Sequence, residues 1–246
     1  MKDRLDQILI RRKIAPTIET ARAMIIAGEI YINEQVSDKP GRSYSTDVSI
    51  RIKEKCRYVS RGGLKLEKGL SHFGVSPSGL ISLDIGASTG GFTDCLLQHN
   101  ARKVHAVDVA YGQLAWKIRQ DPRVVVLERF NARNITAKDI NSDHIDLAVM
   151  DVSFISLTTL IPPISKLFAQ EVTILALIKP QFELPRDDVG PGGVVSEPAL
   201  HIKAIEKIES FVQQFGLISK GTVPSPILGP KGNREFIIYI SSNQSG

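Results

Sequence analysis

The chain has 246 residues, and its formal net charge of +5 comes from 31 Lys and Arg against 26 Asp and Glu. With 42% hydrophobic and 23% charged residues, the composition excludes a disordered or collagen-like chain and allows one or two domains with a substantial core. No apolar stretch reaches the ~20 residues of a membrane-spanning helix. Cys56 and Cys95 form neither a disulfide framework nor a zinc pattern, so we expect a cytoplasmic, reduced protein that holds no metal.

The excess positive charge lies in the first quarter of the chain. Residues 1–68 carry 15 basic and 9 acidic side chains, whereas residues 69–246 carry 16 basic and 17 acidic ones. Such an asymmetry indicates a basic module that meets a polyanion such as a nucleic acid, or else a basic solvated face without a partner.

The first 56 residues predict a small α+β domain. Apolar residues at helical spacing predict two helices, of which the second begins at Pro16-Thr17 and is closed by Gly28. Alternating apolar residues at 30–32 and 48–52 predict strands, with a turn at 39–41 between them. Residues 57–80 predict a connector that contains a short helix.

From residue 81 onward, short apolar runs alternate with helical stretches. The runs predict strands at 81–85, 104–109, 124–127, 145–150, 172–178 and 236–240. A helix is predicted over 197–215, and the Gly-, Pro- and Asp-rich residues 185–196 predict a mobile loop. This order is typical of an α/β protein with a Rossmann-like, doubly wound sheet.

The strongest motif lies where the first of these strands meets a glycine-rich turn, in the stretch 84–92 (DIGASTGGF). Glycines let a ligand approach the backbone, and the start of the following helix offers free N–H groups. Asp108 ends the second strand, about 24 residues later, where a carboxylate can accept hydrogen bonds from ribose hydroxyls. The motif therefore predicts a site for a nucleotide-type cofactor.

The glycine spacing narrows the choice of cofactor. Gly86, Gly90 and Gly91 do not match the dinucleotide fingerprint, and no Lys-Ser/Thr pair supports a P-loop. An acidic residue before the first glycine is the arrangement of S-adenosylmethionine (SAM) methyltransferases, and a cationic cofactor suits a carboxylate there. SAM is favoured on these residues, while NAD or a tight turn without a ligand stay as alternatives.

Polar side chains follow two of the predicted strands, where chemistry occurs in a doubly wound sheet. Asp151 and Lys179 occupy these positions. Lys179 is either a lysine that burial and a second cation hold partly neutral, so that it can accept a proton, or one partner of a surface salt bridge. Lys65 and Glu235 also lie at the edges of elements, and each taken alone would be assigned to solvent.

Six stretches resemble, in order, those of the TlyA-type, or hemolysin A, family: 57–66 (RYVSRGGLKL), 84–97 (DIGASTGGFTDCLL), 106–116 (AVDVAYGQLAW), 128–133 (ERFNAR), 151–157 (DVSFISL) and 178–183 (IKPQFE). The resemblance spans almost the whole chain. It implies an alpha-L RNA-binding domain over 1–56, a connector over 57–80 and a domain similar to FtsJ-type ribosomal RNA 2′-O-methyltransferases over 81–246.

The resemblance also implies a role for particular residues. The catalytic tetrad would be Lys65, Asp151, Lys179 and Glu235. The cofactor would be SAM, held by Asp84, Gly86, Ala87, Ser88, Gly90 and Gly91, with Asp108 and Val109 at the ribose and Asn131 beside the adenine. The implied reaction is methylation of a ribose 2′-hydroxyl, of a cytidine, in the RNA of the small or the large ribosomal subunit or of both.

We expect the basic N-terminal domain to dock ribosomal RNA through its phosphates. Five candidate contacts are expected on one helical surface: Arg4, Arg11, Arg12, Lys13 and Arg22. Arg61 in the connector is a further candidate for RNA contact, and it is also a candidate for coupling the two domains. Two other classes of function stay open. One is a membrane-active hemolysin, and the other is an RNA-binding ribosome assembly factor without catalysis.

Overall fold

The computed structural model divides the chain into two compact units, Met1–Arg57 and Tyr58–Gly246, and describes residues 1–53 and 56–242. Residues 54, 55 and 243–246, which the predicted domains include, lie outside the described residues. The predicted three-part division, with a connector over 57–80, stays a prediction.

The first unit is a small α+β unit, as predicted. Its elements are β1 (Lys2–Arg4), α1 (Leu5–Arg11), α2 (Ile18–Ile26), β2 (Ile30–Ile32), β3 (Gln35–Val36), β4 (Ser43–Ser45) and β5 (Ile50–Ile52). Strands β1 and β4 form an antiparallel pair, and β3, β2 and β5 form a three-stranded antiparallel sheet in that order.

The two predicted helices of this unit are confirmed, together with their boundaries at α2. Thr17 caps α2, because its hydroxyl oxygen accepts a hydrogen bond from Thr20 N at 3.2 Å. Gly28 follows the helix with φ +67°, a conformation that favours glycine. Strands β1, β3 and β4 were not predicted, since segments of two or three residues are too short for an alternating pattern to be recognised.

The second unit has an α/β fold. Its elements are α3 (Gly62–Phe73), β6 (Ile81–Ile85), α4 (Gly91–Gln98), β7 (Lys103–Val107), α5 (Trp116–Arg119), β8 (Val124–Leu127), β9 (Leu147–Met150), α6 (Leu157–Ser165), β10 (Thr173–Ile178), α7 (Pro180–Glu183), α8 (Pro198–Gln214), β11 (Leu217–Pro224) and β12 (Phe236–Ser242). The predicted loop over 185–196 contains two short 3-10 segments, Arg186–Asp188 and Pro191–Gly193.

The strands of this unit form one seven-stranded mixed sheet in the order β11-β12-β10-β9-β6-β7-β8. Strands β8, β7, β6, β9 and β10 are parallel, and β12 runs antiparallel to both β10 and β11. The doubly wound α/β fold is therefore confirmed. Strand β11 was missed, because a register shift between Ser219 and Thr222 interrupts its alternation.

Helices cover both faces of this sheet. Apolar side chains of α6 and α8 pack on one face, in a cluster that includes Ile161, Ile164 and Ile208. Side chains of α3 and α4 pack in a second cluster, which includes Leu66, Leu70 and Leu96. Burial on both faces explains why the parallel strands read as continuous apolar runs in the sequence.

Among the described residues, no helix combines the length and the apolar character that crossing a bilayer requires.

Candidate active site

Two neighbouring parallel strands place Asp151 and Lys179 side by side. Asp151 follows β9 and Lys179 follows β10, and these strands are paired up to Met150 and Ala176. Glu235 precedes β12, which runs in the opposite direction, so its side chain lies at the same edge of the sheet. The carboxyl edge of the sheet therefore gathers three residues that are far apart in sequence.

Helix α3 brings the fourth residue, Lys65, to this edge. The helix packs so closely on β12 that a Cβ on Gly69 would lie 2.9 Å from Ile237. At the start of the helix, a Cβ on Gly63 would overlap the ring of Tyr58, which is buried. Glycines at these two positions therefore allow the close packing that directs Lys65 towards the sheet.

The four side chains form a continuous chain of alternating charge. Lys65 Nζ lies 2.5 Å from Glu235 Oε2 and 3.8 Å from Asp151 Oδ2. Lys179 Nζ lies 2.5 Å from the other oxygen of Asp151, Oδ1. Both lysines and Glu235 are buried, with 7%, 6% and 2% of Lys65, Lys179 and Glu235 exposed. Each buried charge has an opposite partner, which offsets the cost of removing it from water.

A tight loop covers the end of this chain. Gly229 lies against the carboxylate of Glu235, so that any side chain there would overlap it. Gly229 N donates a hydrogen bond to Asn233 O at 2.8 Å, and the amide of Asn233 binds Val195 N and Gly193 O. The loop over 225–235 is thus fixed both internally and to the preceding loop.

The glycine-rich turn lies directly beside Asp151. Gly86 has φ +83°, and a Cβ there would come within 2.6 Å of Asp151 O. Gly90 has φ +92° and precedes α4, while Gly91 lies so close to Ser60 that a side chain would not fit. Gly86 and Gly90 therefore have a conformation that favours glycine, and at Gly86 and Gly91 the packing also leaves no room for a side chain.

Asp108 fixes the glycine-rich turn to the end of β7. Its two carboxylate oxygens accept hydrogen bonds from Ser88 N at 2.7 Å and from Ala110 N at 2.8 Å. Glu128 fixes the next segment, since its Oε1 accepts a hydrogen bond from Gly112 N at 2.9 Å. Of these two carboxylates, that of Asp108 lines the cavity beside the turn.

Two cavities of about 320 Å³ each meet at the turn and share Gly86, Ser88, Asp151 and Ser153. The first extends towards the ends of β7 and β8 and is also lined by Asp108, Val109 and Asn131. The second extends towards α3 and the loop over 225–235, and its wall contains Ala87, Gly91, Arg61, Lys65 and Lys179. Asp151 therefore lies at the junction of the two cavities.

Asp84 and Gly90 are the two predicted cofactor residues that line neither cavity. Asp84 is fully buried, and its Oδ2 accepts a hydrogen bond from the Thr93 hydroxyl at 2.6 Å. Its Oδ1 is buried without a hydrogen-bond partner. Burial raises the pKa of Asp84 to about 7, the negative charge of Asp151 adds to the effect, and the Thr93 hydrogen bond opposes it.

The basic residues predicted to contact RNA are exposed, but the expectation that they share one helical surface is wrong. Arg4 lies in β1 and Arg22 in α2, and both bind the buried carboxylate of Asp6, at 2.8 and 3.1 Å. Arg11 pairs with Asp3. Arg12 donates hydrogen bonds to the backbone oxygens of residues 46 and 48, and Lys13 has φ +58° beyond α1. Tertiary contacts therefore fix several of these cations.

Two further residues of this edge were given no role from the sequence, and the first of them contacts Lys179. Lys179 Nζ donates a hydrogen bond to Ser153 Oγ at 3.2 Å. Glu183 is buried and accepts hydrogen bonds from Ser156 Oγ at 2.5 Å and Leu157 N at 2.9 Å. Both lie within the stretches 151–157 and 178–183, so the motifs carried the signal, but their spacing did not reveal these contacts.

Comparison with protein families assigns both units. Residues 58–242 match the family described as FtsJ-like methyltransferase, and residues 3–47 match the S4 domain. YqxC of Bacillus subtilis is 48% identical over 97% of this chain and 85% of its own length. The 16S/23S rRNA (cytidine-2′-O)-methyltransferase TlyA of Mycobacterium tuberculosis is 42% identical over 96% of this chain and 89% of its own length. Hemolysin A of Brachyspira hyodysenteriae is 41% identical over 96% of this chain and 98% of its own length.

Solved structures support the same fold. A Streptococcus thermophilus protein superposes with a TM-score of 0.77 at 41% identity, over 99% of this chain and 90% of that chain. A SAM-dependent methyltransferase from Aquifex aeolicus superposes with a TM-score of 0.51 at 19% identity, over 74% of this chain and 94% of that chain.

Proposed function

The chain belongs to the TlyA-type family, which joins an S4 domain to an FtsJ-like methyltransferase domain, and on that premise we propose that it transfers a methyl group from SAM to a ribose 2′-hydroxyl of ribosomal RNA. By analogy with TlyA of Mycobacterium tuberculosis, the nucleotide is a cytidine in the small subunit, the large subunit or both. The observation that carries the proposal is the Lys-Asp-Lys-Glu chain, with both lysines and the glutamate buried, at the junction of two cavities.

The residues around the first cavity fit SAM. Gly86 lets a ligand approach the backbone, and the unpartnered Oδ1 of Asp84 is a buried acceptor beside the turn. A cationic amino group, bound directly or through water, would satisfy that acceptor and favour its ionised form. The carboxylate of Asp108, half-buried at the end of β7, offers acceptors to ribose hydroxyls.

We assign the parts of the cofactor accordingly. The methionine part lies along the turn formed by Gly86, Ala87, Ser88, Gly90 and Gly91, next to Asp84. The ribose lies at Asp108 and Val109, and the adenine lies beside Asn131, which lines the far end of the cavity. When bound, SAM supplies a methyl group on a positively charged sulfur, which leaves as a neutral thioether without the help of a metal.

Lys179 is the group that we assign to the 2′-hydroxyl proton. It lines the second cavity, where the target nucleotide would enter, and it contacts Asp151 at the junction. Asp151 holds Lys179 in place through one carboxylate oxygen, and Lys65 approaches the other oxygen of the same carboxylate. General-base catalysis contributes roughly 10²–10⁴-fold.

We assign Glu235 and Lys65 as the pair of side chains that fixes the position of the Asp151 carboxylate. Glu235 pairs with Lys65 at 2.5 Å, and Lys65 in turn approaches Asp151 at 3.8 Å. Gly229 lies directly against the carboxylate of Glu235, where a side chain would overlap it. Fixing both reactants beside this chain would contribute further, up to ~7–11 kcal/mol of the barrier.

The S4 domain is assigned to RNA docking. The exposed cations of this unit include Arg4, Arg11, Arg12, Lys13 and Arg22, and these five would contact phosphates, so RNA affinity should fall steeply with salt. Arg61 lies at the start of α3 and lines the second cavity, where it would contact the RNA backbone near the target nucleotide. The nucleotide itself would leave its stack to enter the cavity.

Methyl transfer to ribosomal subunits is the direct test. Subunits from Bacillus subtilis cells that lack YqxC are incubated with the full chain and SAM labelled in the methyl group, and the modified nucleotide is mapped by its resistance to alkaline cleavage. We expect label in the ribose of a cytidine for the natural chain, and loss of at least 100-fold in rate for Lys179→Ala. Full activity of Lys179→Ala would overturn the assignment of this residue.

The same experiment separates the two other classes of function. A non-catalytic assembly factor would bind subunits but transfer no label. A membrane-active hemolysin would lyse erythrocytes as a purified protein without SAM. Either result in place of methyl transfer would overturn the proposal.

A further inference from the structure

Ser153 contacts the lysine that the proposed mechanism uses as its base. Lys179 Nζ donates a hydrogen bond to Ser153 Oγ at 3.2 Å and pairs with Asp151 Oδ1 at 2.5 Å. Ser153 is exposed, and it lines both the first and the second cavity. Its hydroxyl therefore lies where cofactor and ribose would meet, in contact with the group assigned to the proton.

The hydrogen bond to Ser153 and the ion pair with Asp151 together restrict the orientation of the Lys179 amine. The nitrogen has four tetrahedral positions, and one of them is the bond to Cε. Asp151 and Ser153 occupy two more, and no other group in the described part of the chain binds Nζ. Lys179 is 6% exposed and lines the second cavity, which is the open side of this lysine.

We propose that Ser153 is a positioning residue which, together with Asp151, fixes the rotation of the Lys179 amine so that its fourth position points at the ribose hydroxyl. The proposal rests on the proposed function, because it requires Lys179 to act on the 2′-hydroxyl. In the neutral amine the lone pair occupies the fourth position. The hydroxyl proton passes to that lone pair as the oxygen–carbon bond forms and the carbon–sulfur bond breaks, and the resulting ammonium returns its proton to solvent.

A buried carboxylate connects the segment that carries Ser153 to the segment that follows Lys179. Glu183 lies in α7, the short helix that begins directly after Lys179. Its carboxylate accepts hydrogen bonds from Ser156 Oγ and Leu157 N, which lie at the other end of the segment that carries Ser153. The two segments that follow β9 and β10 are therefore tied together by a second contact besides the hydrogen bond between Lys179 and Ser153.

Removal of the hydroxyl alone tests the proposal. Ser153→Ala leaves Asp151 as the only group that restrains the amine, so kcat should fall about 2–10-fold, the effect of one hydrogen bond. The KM for ribosomal subunits and the Kd for SAM should stay within twofold of the natural values. Ser153→Thr keeps the hydroxyl at an exposed position and should restore kcat. Thr159→Ala, which removes an exposed hydroxyl on α6 outside both cavities, is the matched control.

Steady-state methylation of the subunits from cells that lack YqxC gives kcat and the KM for subunits, and calorimetry gives the Kd for SAM. If the kcat of Ser153→Ala equalled that of the natural chain, the proposal would be overturned. A loss that Ser153→Thr does not restore would also overturn it, as would a loss confined to the KM for RNA, which would make Ser153 an RNA contact instead. If Lys179→Ala is inactive while Ser153→Ala is fully active, only the role of Ser153 fails. If Lys179→Ala is fully active, the assigned mechanism fails as well.

Discussion

Replacing Asp84 with Asn should change how the stability of the protein depends on pH. Asp84 is fully buried in the strand before the glycine-rich turn, and one of its oxygens has no hydrogen-bond partner. Burial therefore raises the pKa of Asp84 to about 7, from 3.8 in an unperturbed carboxyl group. The folded chain consequently binds this proton more tightly than the unfolded chain does.

The sign and the size of the effect follow from this difference in pKa. Between about pH 4 and pH 7 the folded state holds a proton that the unfolded state has released, so stability falls as the pH rises through this window and levels off above it. Each unit of pKa difference corresponds to about 1.36 kcal/mol. Between pH 5 and pH 8, Asp84 should therefore lower the free energy of unfolding by about 2–3 kcal/mol.

Urea unfolding of the SAM-free chain, followed by far-ultraviolet circular dichroism at pH 5, 6, 7 and 8, measures this quantity. Asn at position 84 cannot ionise, so the difference in unfolding free energy between the natural chain and Asp84→Asn should change by about 2–3 kcal/mol across the range. Taking the difference removes the contributions of other titrating groups and any constant cost of the Asn amide.

A surface substitution provides the control for this experiment. Asp187→Asn removes an exposed carboxyl group, and its difference from the natural chain should stay constant with pH. If the difference in unfolding free energy between Asp84→Asn and the natural chain also stayed constant within about 0.5 kcal/mol, ionisation of Asp84 would not destabilise the fold. That result would refute the argument that burial raises the pKa of Asp84.

Two further substitutions test the packing of α3 and the electrostatics of the S4 domain. Gly63→Ala should lower the thermal unfolding midpoint by about 3–10 °C, because the added Cβ overlaps the ring of Tyr58. The control is Gly62→Ala, whose Cβ meets nothing closer than 3.4 Å and which should unfold near the midpoint of the natural chain. Equal midpoints for the two variants would contradict the packing argument. The hydrogen bond from Arg4 lowers the pKa of Asp6 to about 2, so the stabilisation by this carboxylate is present above about pH 4 and lost as the pH falls towards 2. Asp6→Asn should therefore lose less in its thermal midpoint between pH 4 and pH 2 than the natural chain, and an equal loss would contradict this assignment.

The sequence predicted the elements whose patterns are local. Five parallel strands read as apolar runs because both faces of the sheet are covered. Three glycines with an acidic residue before them predicted the turn after β6. The same reasoning placed Asp151 and Lys179 at strand ends. A resemblance was needed for Lys65 and Glu235, because each lies at the edge of an element that gives no local sign of burial.

Contacts between distant segments could not be derived from local patterns. The pairing of Lys65 with Glu235 joins residues 170 positions apart, and it depends on the antiparallel insertion of β12 beside β10. Strand β11 was not predicted because its alternation is broken. The cations of the first unit were expected on one helical surface, and the common contact of Arg4 and Arg22 with Asp6 was not foreseen.

By itself, then, the sequence determined the fold class, the position of the glycine-rich turn and the residue types available for chemistry, because each depends on local conformational preference or on burial that repeats along one element. Tertiary structure alone decided how these residues meet. It placed Asp151 between two lysines, buried Asp84 behind the turn instead of on a cavity wall, and gave Lys179 a second partner in Ser153. Distances and burial between remote side chains arise from the packing of strands and helices, which no local pattern encodes.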